Sequence, residues 1–316
     1  MSRKIYFCGS IRGGRQDVGL YAKIIKTLSG YGTVLTEHVG DGELDKNENL
    51  DDKGIHDRDI DWLKESDAVV AEVTQPSMGV GYELGRANAM GKKILCLFRP
   101  ESGKLMSGLV QGADNSTSFA VKHYKEEEYP DILKDFFDQL SKEDTDEAVA
   151  VKKRKTGEEE GAKVVKLDTD NGSSTERKIY FCGSITGGRQ DASLYKQIVE
   201  EMKSKYGPVL TENVAREDPI IAVDGKIVTD VKIHEMDMNW LRSSTDVVAE
   251  VTQVSTGVGY EIGQAVEMGK RILCLFRSEV NNRISAMISG AHDGTSVTVK
   301  DYKDQEYVVI LKEFFQ

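Results

Sequence analysis

The sequence predicts an α/β protein made of two similar three-layer domains, each with a parallel sheet of about five strands. Two observations lead to this prediction. The segment KIYFCGSIRGGRQD at residues 4–17 recurs at residues 178–191, with one difference in 14 positions. Within each copy, short β-rich apolar runs alternate with helical patterns, which is typical of βαβ units and a parallel sheet.

Each predicted element follows from its local pattern. Strands are predicted from short apolar runs, and helices from apolar residues that recur every three or four positions. DAVVAEV and KILCLF are apolar on both faces, as expected for central strands that helices cover on both sides. In chain order, the elements of the first copy are the strand KIYFCG, a helix around Tyr21–Leu28, the strand TVLT, a helix at 55–65, the strand DAVVAEV, a helix at 80–90, the strand KILCLF, a short helix near 105–111 and a terminal helix at 127–140.

The repeat spans whole domains. The segment at residues 71–99 recurs at 249–277, so the offset between the copies grows from 174 to 178 and the second copy gains four residues between the two motifs. This period is much longer than the roughly 20–50 residues of a solenoid repeat. We therefore predict one domain at residues 1–140 and another at 178–316.

A charged linker is predicted between them, at residues 141–177. This segment carries alternating charge blocks, Gly and Ser, and few large apolar residues. As a flexible coil it would span on the order of 30 Å, enough for the two domains to dock side by side. Its KKRK run at residues 152–155 matches either a nuclear-import signal or a solvated charge run, and the second interpretation is favoured.

Composition excludes several functional classes. The chain has 53 acidic and 42 basic side chains, a net charge of -11, which disfavours general binding to nucleic acid or anionic membranes. It has neither a long apolar run nor a signal-peptide pattern, so we expect a protein of the cytoplasm, with the nucleus as a second location if the KKRK run is an import signal. The four cysteines sit singly in apolar runs (Cys8, Cys96, Cys182 and Cys274), which predicts reduced core residues rather than a metal site.

Two glycine-rich turns follow strands of the predicted sheet, at the edge where open α/β sheets bind ligands. CGSIRGG at 8–14 has neither the Walker nor the dinucleotide-binding spacing. TQPSMGVGYELG at 74–85 places Ser77 and Gly79 just before a helix whose free N–H groups favour an anion. The alternative is that these glycines serve only a tight strand-to-helix connection.

Two carboxylates lie near the second turn. Glu83 falls in the first turns of the helix, where the helix N-terminus favours the ionised form, although acids are common at helix starts in any case. Asp59 shares the apolar face of its helix with Ile55 and Trp62, and Asp237 repeats it in the second copy. An acid on a packed face is costly unless it is paired or functional. Two such carboxylates predict glycosidic chemistry, with one as nucleophile and the other as general acid and base.

Five segments also resemble a known family: YFCGSIRGG, LTEHV, IHDRDIDWL, AEVTQPSMGVGYELGRA and ILCLFRP. They are similar to the 2′-deoxynucleoside 5′-phosphate N-hydrolases of the nucleoside 2-deoxyribosyltransferase superfamily, and the resemblance covers nearly all of both copies. It implies flavodoxin-like or Rossmann-like domains. It also implies hydrolysis of deoxynucleoside 5′-monophosphates to a free base and 2-deoxyribose 5-phosphate, with no metal or organic cofactor.

The resemblance further implies residue roles in both copies. Glu83 and Glu261 would attack the sugar, Asp59 and Asp237 would protonate the departing base and then activate water, and Tyr6 and Tyr180 would position the nucleophiles. The implied substrate-binding residues of the first copy are Gly9, Ser10, Ile11, Arg12, Gly13, Ser77, Gly79 and Ser107. Those of the second copy are Gly183, Ser184, Ile185, Gly187, Ser255, Gly257, Ser285 and Met287.

Family members pair as homodimers, and a serine of the neighbouring subunit completes each phosphate site. In this chain the matching serines are Ser107 and Ser285, so the two copies could pair within one chain, with Ser285 closing the first site and Ser107 the second. A homo-oligomer is the alternative. The second copy departs from the family at Thr186, where the first has Arg12, and the first copy departs at Leu109, where the second has Met287.

Two other functions remain open at the level of sequence. A deoxyribosyltransferase would use the same covalent intermediate and pass the sugar to a second base. A nucleotide-binding sensor without catalysis is disfavoured, because both copies retain their Glu and Asp residues. His56 and His234 are predicted to be packing or helix-start residues rather than catalysts.

Overall fold

The computed structural model describes residues 2–155, 176–185, 190–216, 222–223, 226–281 and 283–316. Two parallel sheets with helices on both faces confirm the predicted α/β class. We call residues 2–155 the first half and residues 176–316 the second half.

The first half contains five strands and six helices. The β-branched and aromatic runs form the strands, and the segments with apolar residues every three or four positions form the helices. In chain order they are β1 (Lys4–Cys8), α1 (Val18–Leu28), β2 (Thr33–Val34), α2 (Leu44–Asn47), α3 (Asp52–Glu65), β3 (Ala68–Glu72), α4 (Met78–Ala89), β4 (Lys93–Phe98), α5 (Gly108–Gly112), β5 (Phe119–His123) and α6 (Tyr129–Lys155).

The described part of the second half repeats this order, with a small hairpin in the region where the second copy is longer. Its elements are β6 (Ile179–Cys182), α7 (Ala192–Lys205), β7 (Ala222–Val223), β8 (Lys226–Ile227), α8 (Asp230–Ser243), β9 (Asp246–Glu250), α9 (Thr256–Glu267), β10 (Arg271–Phe276), α10 (Ala286–Ser289), β11 (Val297–Asp301) and α11 (Tyr307–Phe315).

Both large sheets have the strand order of flavodoxin-like folds. The first runs β2-β1-β3-β4-β5, and the second runs β11-β10-β9-β6. Adjacent strands are parallel, with Tyr6 opposite Val69 and Tyr180 opposite Val247. In the second half, the counterpart of β2 is reduced to a single bridge between Ile179 and Val209, which is why this sheet has four strands rather than five.

Several elements differ from the sequence prediction. Helix α6 does not end at residue 140 but continues to Lys155, through the first part of the predicted linker and its KKRK run. Residues 141–155 are rich in Glu, Lys and Ala, which favour helix. Two of these acids anchor the helix to the sheet, because Asp144 pairs with Arg3 at 2.5 Å and Glu143 with Lys93 at 2.7 Å. The linker residues 156–175 lie outside the described residues.

Strand β5 and helix α2 were not predicted. Helix α2 is a single turn of four residues, too short to show a period, and β5 ends on the polar residues Lys122 and His123. The four cysteines are buried and reduced, as predicted. None of the helices in the described ranges is long and apolar enough to cross a membrane.

The hydrophobic core has three parts. In the first half, α1 and α6 cover one face of the sheet through residues such as Tyr21 and Leu133. Helices α7 and α11 cover the corresponding face of the second sheet. The third part is shared, because α3, α4, α8 and α9 lie between the two sheets and bury residues of both halves together, such as Leu84 and Ile262.

Helices α4 and α9 approach each other closely at the centre of this shared core. A Cβ atom on Gly81 would lie 2.0 Å from the carbonyl oxygen of Thr256, and one on Gly259 would lie 2.1 Å from that of Met78. Gly85 makes the same kind of approach one helical turn further on. The two GxxxG segments therefore let the two backbones touch, which no larger residue would permit.

Polar contacts beside these glycines join residues that are not equivalent under the internal repeat. Arg86 of α4 pairs with Glu267 of α9, and the Asn88 amide donates to the Tyr260 hydroxyl at 2.6 Å. The counterparts of Arg86 and Glu267 under the internal repeat are Gln264 and Ala89, which cannot form an ion pair. This ion pair can therefore form only between α4 and α9, and not between two copies of the same helix.

We predict that Gly81→Ala destabilises the protein by about 1–3 kcal/mol, because the added methyl group meets a backbone carbonyl that no rotamer change can move. Gly19→Ala is the matched control, since Gly19 lies on the exposed side of α1 with open space around it. This control should be neutral or stabilising by up to about 1 kcal/mol. Urea unfolding measures both, and equal midpoints for the two variants would contradict the prediction.

Candidate active site

A cleft opens at the carboxyl ends of β1 and β3, which are adjacent strands, as predicted. Both halves of the chain contribute to it, and we call it the first cleft. From the first half it is lined by Tyr6, Gly9, Ile11, Arg12, Gly13, His38, Glu48, Arg58, Asp59, Ser77, Gly79 and Glu83, among others. From the second half it is lined by Val251, Val254, Asn281, Arg283, Ile284, Ser285, Ala286 and Met287.

Glu83 lies on the inner side of α4 and is 8% exposed. Its helix begins at Ser77, whose side chain accepts a hydrogen bond from the Val80 amide. The Tyr6 hydroxyl, from the fully covered strand β1, donates to Glu83 Oε1 at 2.5 Å. A central strand therefore fixes the orientation of this carboxyl group. The second half repeats the arrangement, with Tyr180 donating to Glu261 at 2.6 Å.

Asp59 lies on the buried face of α3 and is 6% exposed. Its Oδ1 accepts a hydrogen bond from Arg58 Nε at 2.9 Å. In the second half, Asp237 has the same place on α8 but is only partly buried. The structure thus brings Tyr6, Asp59 and Glu83, three of the predicted catalytic residues, to one cleft.

The electrostatics of the two carboxyl groups favour one shared proton near neutral pH. Burial raises the pKa of Asp59 to about 6, although the Arg58 guanidinium acts in the opposite direction. Burial, reinforced by the charge of Asp59, raises the pKa of Glu83 to about 8, although the Tyr6 hydrogen bond opposes this. Two nearby carboxyl groups cannot both ionise easily, so the pair holds about one proton at pH 7. It can therefore supply one acid and one nucleophile.

The other end of the first cleft is the start of α4. A Cβ atom on Gly79 would lie 3.1 Å from the hydroxyl oxygen of Ser285 and 3.5 Å from Met287 Cγ. Ser285 of the second half therefore faces the free N–H groups at this helix start, which favour an anion. The same contact recurs in reverse, with Ser107 Oγ 3.3 Å from a Cβ placed on Gly257.

Arg12 ties the first glycine-rich turn to both halves. Its guanidinium binds Asp52 through two hydrogen bonds of 2.5 and 3.1 Å and donates to the carbonyl of Ile284 at 2.9 Å. It therefore holds the segment that carries Ser285. Gly13 allows this turn to close on the next one, because a Cβ there would lie 2.5 Å from the carbonyl oxygen of Pro76.

Ser10 and Ser184 are placed differently from the other predicted binding residues. Both are fully buried, and their amides donate to Tyr21 and Tyr195 at 3.2 Å behind the turn. Ser10 does not belong to the lining of the first cleft. Its hydroxyl oxygen is without a hydrogen-bond partner in the described part of the chain.

A second cleft lies at the start of α9 and also combines the two halves. It is lined by Val73, Pro76, Lys104, Leu105, Ser107, Val254, Ser255, Thr256 and Gly257. Of the predicted residues of the second glycine-rich turn, Gly183 and Ile185 are placed at the end of β6. Gly187, and Thr186 at the place of Arg12, lie outside the described residues.

Sequence reasoning missed several polar residues of the first cleft, including His38, Glu48 and Arg58. Arg58 could have been found from its position next to Asp59, but the second copy has Met236 there, so agreement between the copies points away from it. His56 and His234 behave as predicted. Each bonds to a tyrosine hydroxyl at 3.0 Å on the side where the halves meet, and neither lines the described clefts.

Comparisons with known proteins find similarity to one family in both halves of the chain. A family model described as nucleoside 2-deoxyribosyltransferase matches residues 5–153 and 179–302. The 5-hydroxymethyl-dUMP N-hydrolase of Danio rerio is 61% identical over 140 residues, which is 44% of this chain and 98% of that protein. The human protein of the same name is 53% identical over 137 residues, 42% of this chain and 79% of its own length. The zebrafish relative is thus about as long as one copy of the repeat.

We predict that Glu83→Gln stabilises the protein at alkaline pH. The folded-state pKa of Glu83, about 8, lies above that of an unfolded chain, so the free energy of unfolding falls as the pH rises from about 4 to 8. The glutamine does not titrate, and its amide oxygen still accepts from Tyr6. The variant should therefore gain on the order of 1–3 kcal/mol over wild type between pH 5 and pH 8.

Urea unfolding at several pH values measures this gain. Glu127→Gln is the control, because Glu127 is exposed on the surface and its replacement should give a curve parallel to that of wild type. A Glu83→Gln curve that is also parallel would show that Glu83 is not a buried acid with a raised pKa.

Proposed function

The chain belongs to the nucleoside 2-deoxyribosyltransferase family, and we propose that it hydrolyses the N-glycosidic bond of 2′-deoxynucleoside 5′-monophosphates to a free base and 2-deoxyribose 5-phosphate. The observation that carries the proposal is the Tyr6–Glu83 hydrogen bond beside Asp59, in a cleft that ends at a helix start closed by Ser285. The names of relatives that are 53–61% identical support an N-glycosidase acting on a nucleotide.

The proposed placement of the substrate follows from charge. The 5′-phosphate would bind at the start of α4, where Ser77, the backbone at Gly79 and the Ser285 hydroxyl group converge. The sugar would then lie over Glu83, about one and a half helical turns further along α4. The base would lie beyond it, near Asp59 and Arg58, which line the same cleft.

Two steps complete the reaction. First, the Glu83 carboxylate attacks the anomeric carbon, the bond to the base nitrogen breaks, and Asp59 gives its proton to the departing base. Second, Asp59 takes a proton from water as that water attacks the anomeric carbon, and the bond to Glu83 breaks. This retaining course requires the two carboxyl groups about 5 Å apart.

The Tyr6 contact and the proton held by the Glu83–Asp59 pair support these roles. Tyr6 donates to the Glu83 carboxylate and holds it in the attacking orientation. The pair retains about one proton near neutral pH, and in the free protein the higher pKa belongs to Glu83. The proposed course therefore requires this proton to pass to Asp59, which gives it to the leaving base, when the substrate is bound. Glu261, Asp237 and Tyr180 provide the same set in the second half, so we propose two reaction centres in one chain.

Transfer of the sugar to another base is the second candidate, because the description of the matching family names a transferase. Both reactions pass through the same covalent intermediate, and they differ only in whether water or a base attacks it. A phosphate-binding helix start favours a nucleotide substrate in either case. The two are distinguished by adding an excess of a free base and looking for a new deoxynucleotide.

We predict that free base is released from deoxynucleoside 5′-monophosphates and not from ribonucleotides or unphosphorylated deoxynucleosides. Glu83→Ala and Glu261→Ala should each remove one centre, and the double variant should lose activity by at least about 100-fold, because the nucleophile is gone from both. Chromatography of the released base is the assay, with Glu127→Ala as the surface control. Binding of nucleotide by wild type without any release of base would instead indicate a sensor.

We also predict that Ser285→Ala weakens phosphate binding in the first cleft. In a Glu261→Ala background, which leaves only the first centre, KM should rise about tenfold or more with little change in kcat, because a hydrogen bond to a charged group is lost. Ser107→Ala in the same background is the matched control, since Ser107 belongs to the second cleft. If Ser107→Ala raises KM instead, the first centre is completed by a different pairing of the halves.

A further inference from the structure

Arg58 stands at the centre of an ionic cluster in the first cleft. Its Nε donates to Asp59 at 2.9 Å, and its Nη1 donates to Glu48 at 2.7 Å. Its guanidinium lies 4.9 Å from the centre of the Trp62 ring, and its Nη2 is 3.3 Å from His38 Nε2. Arg58 is therefore held on several sides and presents one N–H group to the carboxyl group of Asp59.

The described residues of the second half form no such cluster. Met236 occupies the place of Arg58 on α8, and Asn213 that of His38. Asp237 has no ion pair or hydrogen bond with any described residue, and burial alone accounts for its raised pKa of about 7. The two centres thus share the nucleophile, the acid and the tyrosine but differ in what holds the acid.

On the basis of the proposed function, we propose that Arg58 is a positioning residue that orients Asp59 and stabilises its carboxylate, so that the first and second centres have different pH dependence. The chemical reason is that Asp59 becomes an anion when it gives its proton to the base. Arg58, at 2.9 Å, stabilises that anion, and Met236 cannot do so for Asp237. Asp59 is then the stronger acid of the two.

The other charged and titratable groups around each acid do not cancel this difference. Asp59 faces Glu48 across Arg58, and Tyr6 and Glu83 from β1 and α4. Arg12 and Arg283 line the same cleft. Asp237 faces Tyr180, Cys182 and Glu261, which are the counterparts of Tyr6, Cys8 and Glu83. Lys104 lines the second cleft beside Ser107. The cation bonded directly to the acid is found in the first half alone, among the described residues.

The direction of the effect follows from the acid's role. Each centre is active while its carboxyl pair holds one proton, so kcat/KM against pH is a bell whose position follows the pKa values of that pair. A cation beside Asp59 favours its ionised form and moves the bell to lower pH. The optimum lies midway between the two pKa values of a pair, so acids at about 6 and about 7 should place the optimum of the first centre about half a pH unit below that of the second.

The first experiment compares two single-centre chains. Glu261→Ala leaves the first centre, and Glu83→Ala leaves the second. Release of base from one deoxynucleoside 5′-monophosphate is measured between pH 5 and pH 9 for both. An optimum about half a pH unit lower for the Glu261→Ala chain is expected, and superimposed bells would overturn the proposal. No release of base by either chain or by wild type would contradict the proposed function instead.

The second experiment removes the positive charge beside Asp59 and introduces one beside Asp237. In the Glu261→Ala chain, Arg58→Met should shift the optimum upward by about half a pH unit, and Arg58→Lys should restore most of the original position because it keeps the cation. In the Glu83→Ala chain, Met236→Arg should shift the bell downward. A purely structural role for Arg58, through its contact with Trp62, would lower activity at every pH without moving the bell, and that result overturns the proposal. If Arg58→Met does not fold, Met236→Arg still tests the proposal, because a bell that does not move in that variant overturns it.

Discussion

The backbone contact between α4 and α9 is the constraint on which the rest of the molecule depends. Gly81 and Gly85 on one helix, with Gly259 and Gly263 on the other, allow carbonyl oxygens to come within about 2 Å of where side chains would stand. Each helix also carries a candidate nucleophile on the turn between its two glycines. The contact that joins the halves therefore also fixes Glu83 and Glu261 and brings each helix start within reach of a serine from the other half.

Burial raises the pKa values of the two carboxyl groups and also lowers the stability of the fold. The same packing that fixes Glu83 removes it from water and raises its pKa, and the neighbouring Asp59 adds to the effect. A protein built for stability alone would place an apolar side chain there. The Tyr6 hydrogen bond offsets part of the cost by stabilising the ionised form. The result is a pair of carboxyl groups that keep one proton near neutral pH, which is what glycosidic cleavage requires.

The two copies of the internal repeat are similar in sequence but differ at individual residues around each cleft. The residues that would form and break bonds are the same in both copies, whereas those around them differ, as Arg58 and Met236 show. The contact between the halves has diverged too, because the Arg86–Glu267 ion pair has no counterpart across the pseudo-twofold axis. As a result, the two halves meet through unlike residues, and each cleft has its own surroundings.

The sequence by itself determined the α/β class, the repeat, the order of most elements and the candidate carboxyl groups, since these depend on local period and composition. The predicted end of α6 at residue 140 was too early: the Glu, Lys and Ala content of residues 141–155 favours helix, and the ion pairs of Asp144 with Arg3 and of Glu143 with Lys93 leave no local pattern. The contacts of Arg58 with Glu48 and His38 were also out of reach, because these two residues lie 10 and 20 positions away from it. Only the tertiary structure decided that Arg12 of one half holds the segment bearing Ser285 of the other, because contacts between residues more than 270 positions apart leave no local pattern.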